Sequence, residues 1–374
     1  MFSLWNTVAS CWDRFSDNIN YVIIASPYDT DPQKRLVAIR RQRWLIAISI
    51  WMTFLFNGLA SSAALPWLAP LNPGEVSDRN LSLLTPAGYA FGIWGLIYAL
   101  LAAYSIYQLL PRTFDDQVIN RAIGSNLVIF NSLLNCTWVV VWGNDLTGVG
   151  LIVILLLLVN LAWIYWKLSL VDFRYETKSD DNVDDEKATK PGSSKNDLDD
   201  SDSDEKGEAR GRNIHGNASS SIREWVRWLC IYPAFSVYFA WVLVASILNI
   251  FAVFGTYNSI VNINGDNSQS VERVFAGSVV GLVAAWLLES MISWLPRRRT
   301  LNGPDGWVSG TGAWALLAVG VKNMEQASKS PSPLLPQIAT MAYVFGGLLA
   351  FQTVVIIGMK LFAAYKRWAN VDLI

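Results

Sequence analysis

The residues of this chain best suited to chemistry are tryptophans and asparagines, and their chemistry is that of holding a ligand. Trp51, Trp94, Trp138 and Trp241 lie inside long apolar runs, away from the ends where indoles ordinarily anchor helices at a membrane surface. Trp286 and Trp314 do the same further along, and Asn57, Asn131, Asn135 and Asn249 lie in the same kind of run. Aromatic faces with a few amides suit a cavity for a flat apolar molecule that carries some polar groups. They serve equally as packing filler and interhelical glue, and the residues alone leave both readings open. The single histidine, His215, falls in a polar loop, so no histidine inside a membrane is available as a base, a metal ligand or a haem ligand. Three cysteines, Cys11, Cys136 and Cys230, are too few and too scattered for a disulfide framework or a zinc site. Glu289 stands about four turns into an apolar run, where an acid is either functional or snorkels toward Arg297, Arg298 and Arg299. No catalytic residue, metal site or resident cofactor is expected, and the chain is not expected to be an enzyme.

The elements that must position these residues are membrane helices. A chain of 374 residues that is 52% hydrophobic and holds 18 tryptophans, with mean hydropathy +0.30, belongs in a bilayer. The stretch from Thr85 to Gln108, TPAGYAFGIWGLIYALLAAYSIYQ, is free of charge for about 24 residues, or roughly 36 Å of helix, more than a bilayer core needs. Pro86 suits its start, and Gly88, Gly92 and Gly95 leave one flank bare, against which another helix is expected to press. Further spans are expected over 44–67, 122–142, 149–168 and 229–254, and then over 274–295, 306–321 and 338–361. Lys34, Arg35, Arg40, Arg41 and Arg43 before the first span, Arg297 to Arg299, and Lys360, Lys366 and Arg367 place eight spans with both termini in the cytoplasm. The class is all-α, a multi-pass transmembrane helical bundle. The membrane is not specified.

Outside the spans, residues 1–43 form a cytoplasmic N-terminal segment in which Trp5, Val8, Trp12, Phe15 and Ile19 share one face, as an interfacial amphipathic helix would. The stretch 172–222 reads as a disordered acidic cytoplasmic insert, and residues 362–374 as a cytoplasmic tail. Ser194 and Ser201, each three residues before an aspartate, suit an acid-directed kinase as well as a plain solvated linker. Trp44, Trp67, Trp142, Trp163, Trp166, Trp225, Trp228, Trp294, Trp307 and Trp368 lie near helix ends and read as anchoring belts. Gly277-x-x-x-Gly281 and the other glycine-rich faces offer close packing and a route to a homodimer.

PAGYAFGIWGLIY, preceded by Gly74-Glu75-Val76-Ser77-Asp78-Arg79, resembles the second-helix signature of the tryptophan-rich sensory protein or translocator (TspO/MBR) family, in its longer members. Asn135-Cys136-Thr137-Trp138 is similar to the family's Asn-x-x-Trp, and Pro233, Phe235, Tyr238, Trp241 and Asn249 to its fifth-helix pattern. The resemblance implies a five-helix core over 44–254, with about three additional C-terminal helices at 274–361 outside the signature. It also implies a pocket among the five helices for porphyrins, sterols and aromatic drugs. Trp51, Asn57, Tyr89, Phe91, Trp94, Tyr98, Asn135, Trp138, Trp241 and Asn249 are the expected ligand-binding set, and a porphyrin would be held without an axial histidine. The chain departs from compact members of the family in having Ala87 where they have a proline, and in lacking an acid in the fourth helix. The expected protein binds a hydrophobic aromatic ligand, porphyrin- or sterol-like, within the membrane as sensor, carrier or scaffold. Its partners are the lipid bilayer and that small molecule, with no nucleic acid. The alternative is a multi-pass secondary transporter of a small organic solute.

Overall fold

In hydrocarbon a backbone N–H or C=O finds no water, so runs of Leu, Ile, Val and Ala close their hydrogen bonds internally as helices. The computed structural model describes residues 31–62, 66–113, 119, 126–170, 205–254, 268–294, 303–329 and 332–371, and among these it contains helices and no strand. The α-helices are α1 (Pro32–Ser61), α2 (Pro73–Arg79), α3 (Ile93–Gln108), α4 (Asn126–Gly143), α5 (Thr147–Leu170), α6 (Glu205–Phe254), α7 (Ser268–Ser293), α8 (Gly306–Lys329) and α9 (Leu334–Val371), with a 3-10 turn, Gly88–Gly92, leading into α3. All but α2 and α8 are long and apolar enough to cross a membrane, which makes seven such helices among the described residues.

Contacts at the two ends of the bundle show how the helices alternate. At the end where α1 begins, here the proximal end, Arg43 donates through Nη1 to the carbonyl of Gln108 at 2.8 Å and to Thr113 Oγ1 at 3.0 Å. At that end Tyr165, late in α5, donates to Asp305, just before α8, at 2.9 Å. At the distal end Asn144, after α4, donates to the carbonyl of Leu68, after α1, at 2.6 Å, and Asn80 donates to Asp145 at 2.6 Å. Lys322, late in α8, reaches Asp78 at 2.7 Å. The helix α8 therefore runs the height of the bundle, about 26 Å at 1.5 Å per residue. It does so with a less apolar sequence because its surface meets protein: Val308, Ala315, Ala318 and Val319 are wholly buried. Its glycines let neighbours close in, since a Cβ on Gly320 would lie 2.7 Å from the Tyr343 ring of α9 and one on Gly312 would lie 2.9 Å from Glu289 Cγ of α7.

Three expectations change. The first helix begins at Pro32, so the basic residues Lys34 to Arg43 are helical instead of lying in a segment before it. Asp31 caps it by accepting from the Gln33 N–H, and Pro32 needs no partner at that position. The helix α6 begins at Glu205, inside the stretch 172–222 expected to lack structure; extending an existing membrane helix costs no new nucleus, so Glu, Lys, Ala and Arg residues prolong it. Finally, nothing among the described residues fills the bare flank of the signature stretch, since a Cβ at Gly88, Gly92 or Gly95 would meet none of them within 4 Å. The glycines of α7 do pack within the chain: a Cβ on Gly281 would lie 2.6 Å from Phe251 of α6. The N-terminal amphipathic pattern at 5–19, Ser194 and Ser201 lie outside the described residues.

Candidate functional site

The signature turn, Gly88–Gly92, is held by α8. A 3-10 opening leaves backbone groups without i+4 partners. The Ala87 N–H donates to the Ala318 carbonyl at 2.9 Å, Trp314 Nε1 donates to the Ala90 carbonyl at 3.1 Å, and Asn323 Nδ2 donates to the Leu83 carbonyl at 2.8 Å. Ahead of it, α2 is fixed by a capping box in which Asn72 Oδ1 accepts from Gly74 and Glu75 while Glu75 accepts from the Asn72 N–H.

Behind the turn lies the first candidate site, an aromatic cluster. Trp94 is 6.0 Å from Trp138, 5.7 Å from Tyr238 and 6.5 Å from Trp241, ring centre to ring centre, and Phe91 faces Trp241 at 6.3 Å. Tyr98 continues it toward Phe54, and Trp142 stacks on Trp138 at 5.6 Å. The rings fill their own space. The cavity left among Phe91, Trp94, Trp138, Trp241 and Asn249 holds about 30 Å³, the volume of roughly one water. The buried Nε1 groups of Trp138 and Trp241 and the Oδ1 of Asn249 find no hydrogen-bond partner among the described residues. Asn249 Nδ2 bonds its own helix at Ala245.

The amides beside the cluster join helices. Asn57 donates to Asn135 Oδ1 at 2.8 Å, and Asn135 donates to the Tyr238 hydroxyl at 2.7 Å, a chain from α1 through α4 to α6. Asn131 donates to Asn160 of α5 at 3.1 Å. Of the expected set the structure brings together Asn57, Phe91, Trp94, Tyr98, Asn135, Trp138, Trp241 and Asn249. Trp51 stands apart on the outer surface, 48% exposed and edge-on to Phe54. Tyr89 faces away from the cluster, edge-on to Trp314 at 5.1 Å.

Tyr89 belongs to a larger space. Where α3, α6, α8 and α9 meet, a cavity of about 670 Å³ is lined by Tyr89, Gly92, Ile93, Leu96, Trp225, Trp228, Trp307, Trp314, Ile357 and Lys360, among others. That is the size of a drug-sized ligand site. Gly92 leaves it open by having no side chain, and exposed Leu96, Ile357 and Leu361 at its rim make it a cleft that opens sideways toward lipid. Trp225, Trp228 and Trp307, expected to be belt residues, line its walls, and of the expected belt Trp142, Trp163 and Trp228 are buried. An indole near a helix end looks the same in sequence whether it faces headgroups or a cleft.

Two buried acids sit near the proximal end. Asp305 accepts from Tyr165, Ser236 and the Trp307 N–H, and so clamps α5, α6 and α8 together. Its position after Gly303-Pro304 reads in sequence as an ordinary loop acid. Glu289 does not snorkel to the surface: it is wholly buried, and neither carboxylate oxygen has a hydrogen-bond partner among the described residues. Among the described residues no group of three or more His, Cys, Asp or Glu is arranged for a metal ion.

Comparison with known proteins fits this arrangement. A family model for the TSPO-like protein matches residues 43–355, so the match takes in α7, α8 and most of α9 beyond the five-helix core to which the signature resemblance was limited. No curated protein and no solved structure matches the chain. With its signature turn in place, its aromatic cluster behind it and the family match extending across both, this multi-pass membrane protein belongs to the TSPO-like family.

Proposed function

We propose that the protein binds a hydrophobic aromatic ligand, porphyrin- or sterol-like, in the cleft between its five-helix core and its additional helices, as a sensor, carrier or scaffold and without transforming it. The observation that carries this reading is the contrast in volume: about 670 Å³ in the cleft against about 30 Å³ within the tryptophan cluster. The cleft's indoles supply broad apolar faces, and its rim admits a molecule already dissolved in the membrane. In this reading the proximal end, with Lys34, Arg35, Arg40 and Arg41, faces the cytoplasm.

Gly92→Leu tests it, because the new side chain would enter the cavity with nothing within 4 Å of its Cβ to clash. In detergent, titration of purified protein with a porphyrin and with a sterol should show saturable binding that Gly92→Leu weakens by about tenfold or more, while Trp94→Phe changes it by less than about threefold. The reverse pattern would place the ligand in the tryptophan cluster. A secondary transporter of a small organic solute is the second reading, favoured by the two buried acids Glu289 and Asp305. Its mark would be solute uptake into liposomes driven by a pH gradient.

A further inference from the structure

The cleft is apolar along its length except at its proximal end, where Lys360 is the one charged side chain on its wall among the described residues. Lys360 sits where α9 approaches the end of its membrane span, its Nζ 4.8 Å from the centre of the Trp228 ring. A cation over an indole face is only partly compensated when it is drawn away from water. Asp305 lies close enough to act on Lys360 electrostatically but is hydrogen-bonded to Tyr165, Ser236 and the Trp307 amide, and among the described residues no carboxylate forms a direct ion pair with Lys360. A long apolar slot with one unpaired cation at its headgroup-level end has the shape and polarity of an amphiphile lying along it, apolar body inward and acid outward.

We infer that the cleft selects for amphiphilic monoanions, molecules with a ring or chain body and a single carboxylate or phosphate, and that Lys360 is the residue that recognises the acid. This rests on the cleft being the ligand site. It adds a requirement that an apolar pocket by itself does not impose: a neutral molecule of the same shape should bind less well. The acid replaces water as the partner of Nζ and forms a charge-assisted hydrogen bond in a medium of low dielectric, while Trp228 stays beneath the cation. Gly306 and Gly310 of α8 face Thr353 and Ile356 of α9 along that side of the slot. Either a membrane phospholipid with an exposed phosphate or a free hydrophobic acid carries this chemistry.

Pyrenebutyric acid and its methyl ester make the test, since pyrene accepts excitation energy from nearby tryptophans and the two probes differ by the acid's charge and one methyl group. With full-length protein in a nonionic detergent near neutral pH, the wild type should bind the acid about tenfold more tightly than the ester. Lys360→Met should bring that ratio to about one, and Lys360→Arg should keep most of it. Displacement of the acid by short-chain phosphatidic acid and not by phosphatidylcholine of the same chain length, in the wild type but not in Lys360→Met, would support the inference and identify a phospholipid as the source. Acid preference without displacement by either lipid would support it with a free acid as the source. An acid-to-ester ratio unchanged in Lys360→Met would overturn the role of Lys360 and leave the cleft as an apolar site. Absence of saturable binding by either probe would overturn the cleft itself, and the inference with it.

Discussion

A carboxylate sealed among helices with neither oxygen bonded is costly unless it is neutral, and Glu289 is in that position between Gly312 of α8 and the body of α7. Removing the carboxyl while keeping the length of the side chain should remove the cost. Glu289→Met is therefore expected to raise the thermal unfolding midpoint in detergent, by the equivalent of about 1–3 kcal/mol. A lowered midpoint would mean that the carboxyl is bonded in the folded protein. At this scale the sequence was informative where a residue's depth in a span decides its surroundings. Asn57 and Asn135 do meet, because each lies mid-span on a helix of the five-helix core and a buried amide seeks another polar group. Asp305 and Lys360 were not legible as parts of a site. An aspartate after Gly-Pro reads as a solvated turn and a lysine near the end of a span reads as a topological marker, and only the packing of α5, α6, α8 and α9 brings the two toward one cleft.

The element on which most of the architecture turns is α8. Its glycines are what a helix needs to sit in the middle of others, and its backbone and side chains complete the hydrogen bonding of the signature turn. Gly320→Leu should force α9 away at Tyr343 and destabilise the protein by about 1–3 kcal/mol, whereas Gly58→Ala, where an added Cβ meets nothing within 4 Å, should be neutral or slightly stabilising. Thermal unfolding of the two variants side by side checks this; an unperturbed Gly320→Leu would contradict the α8–α9 packing. In sequence this helix appears short and weakly apolar, as expected for 306–321, because a hydropathy pattern reports contact with lipid, and α8 meets protein. The longer apolar helices were legible for the opposite reason. Their outer faces remain greasy, as Val159 on α5 and Phe351 on α9 show. The bare glycine flank of the signature stretch was read as a packing face; such a pattern cannot tell a helix that fills the gap from a gap left open, and here Gly92 opens a cavity.

At the scale of the molecule, the additional helices complete the fold instead of trailing it. Val308, Ala315 and Ala318 of α8 belong to the same buried cluster as Trp138 and Trp241, and a second cluster joins Leu83 and Leu84 to α7, α8 and α9. The family match over residues 43–355 agrees with a single bundle. The seam between the two groups of helices carries a large cavity lined by several indoles, and the central question is whether ligand occupies it. Photo-crosslinking with a diazirine derivative of pyrenebutyric acid, followed by mass-spectrometric mapping of the labelled residues, measures this directly. The account predicts adducts on Trp228, Trp307, Trp314 and Ile357 that unlabelled acid competes away and that Gly92→Leu suppresses. Competable adducts on Trp94, Trp138 and Trp241, or labelling spread without competition over lipid-facing residues such as Met52 and Val159, would contradict it.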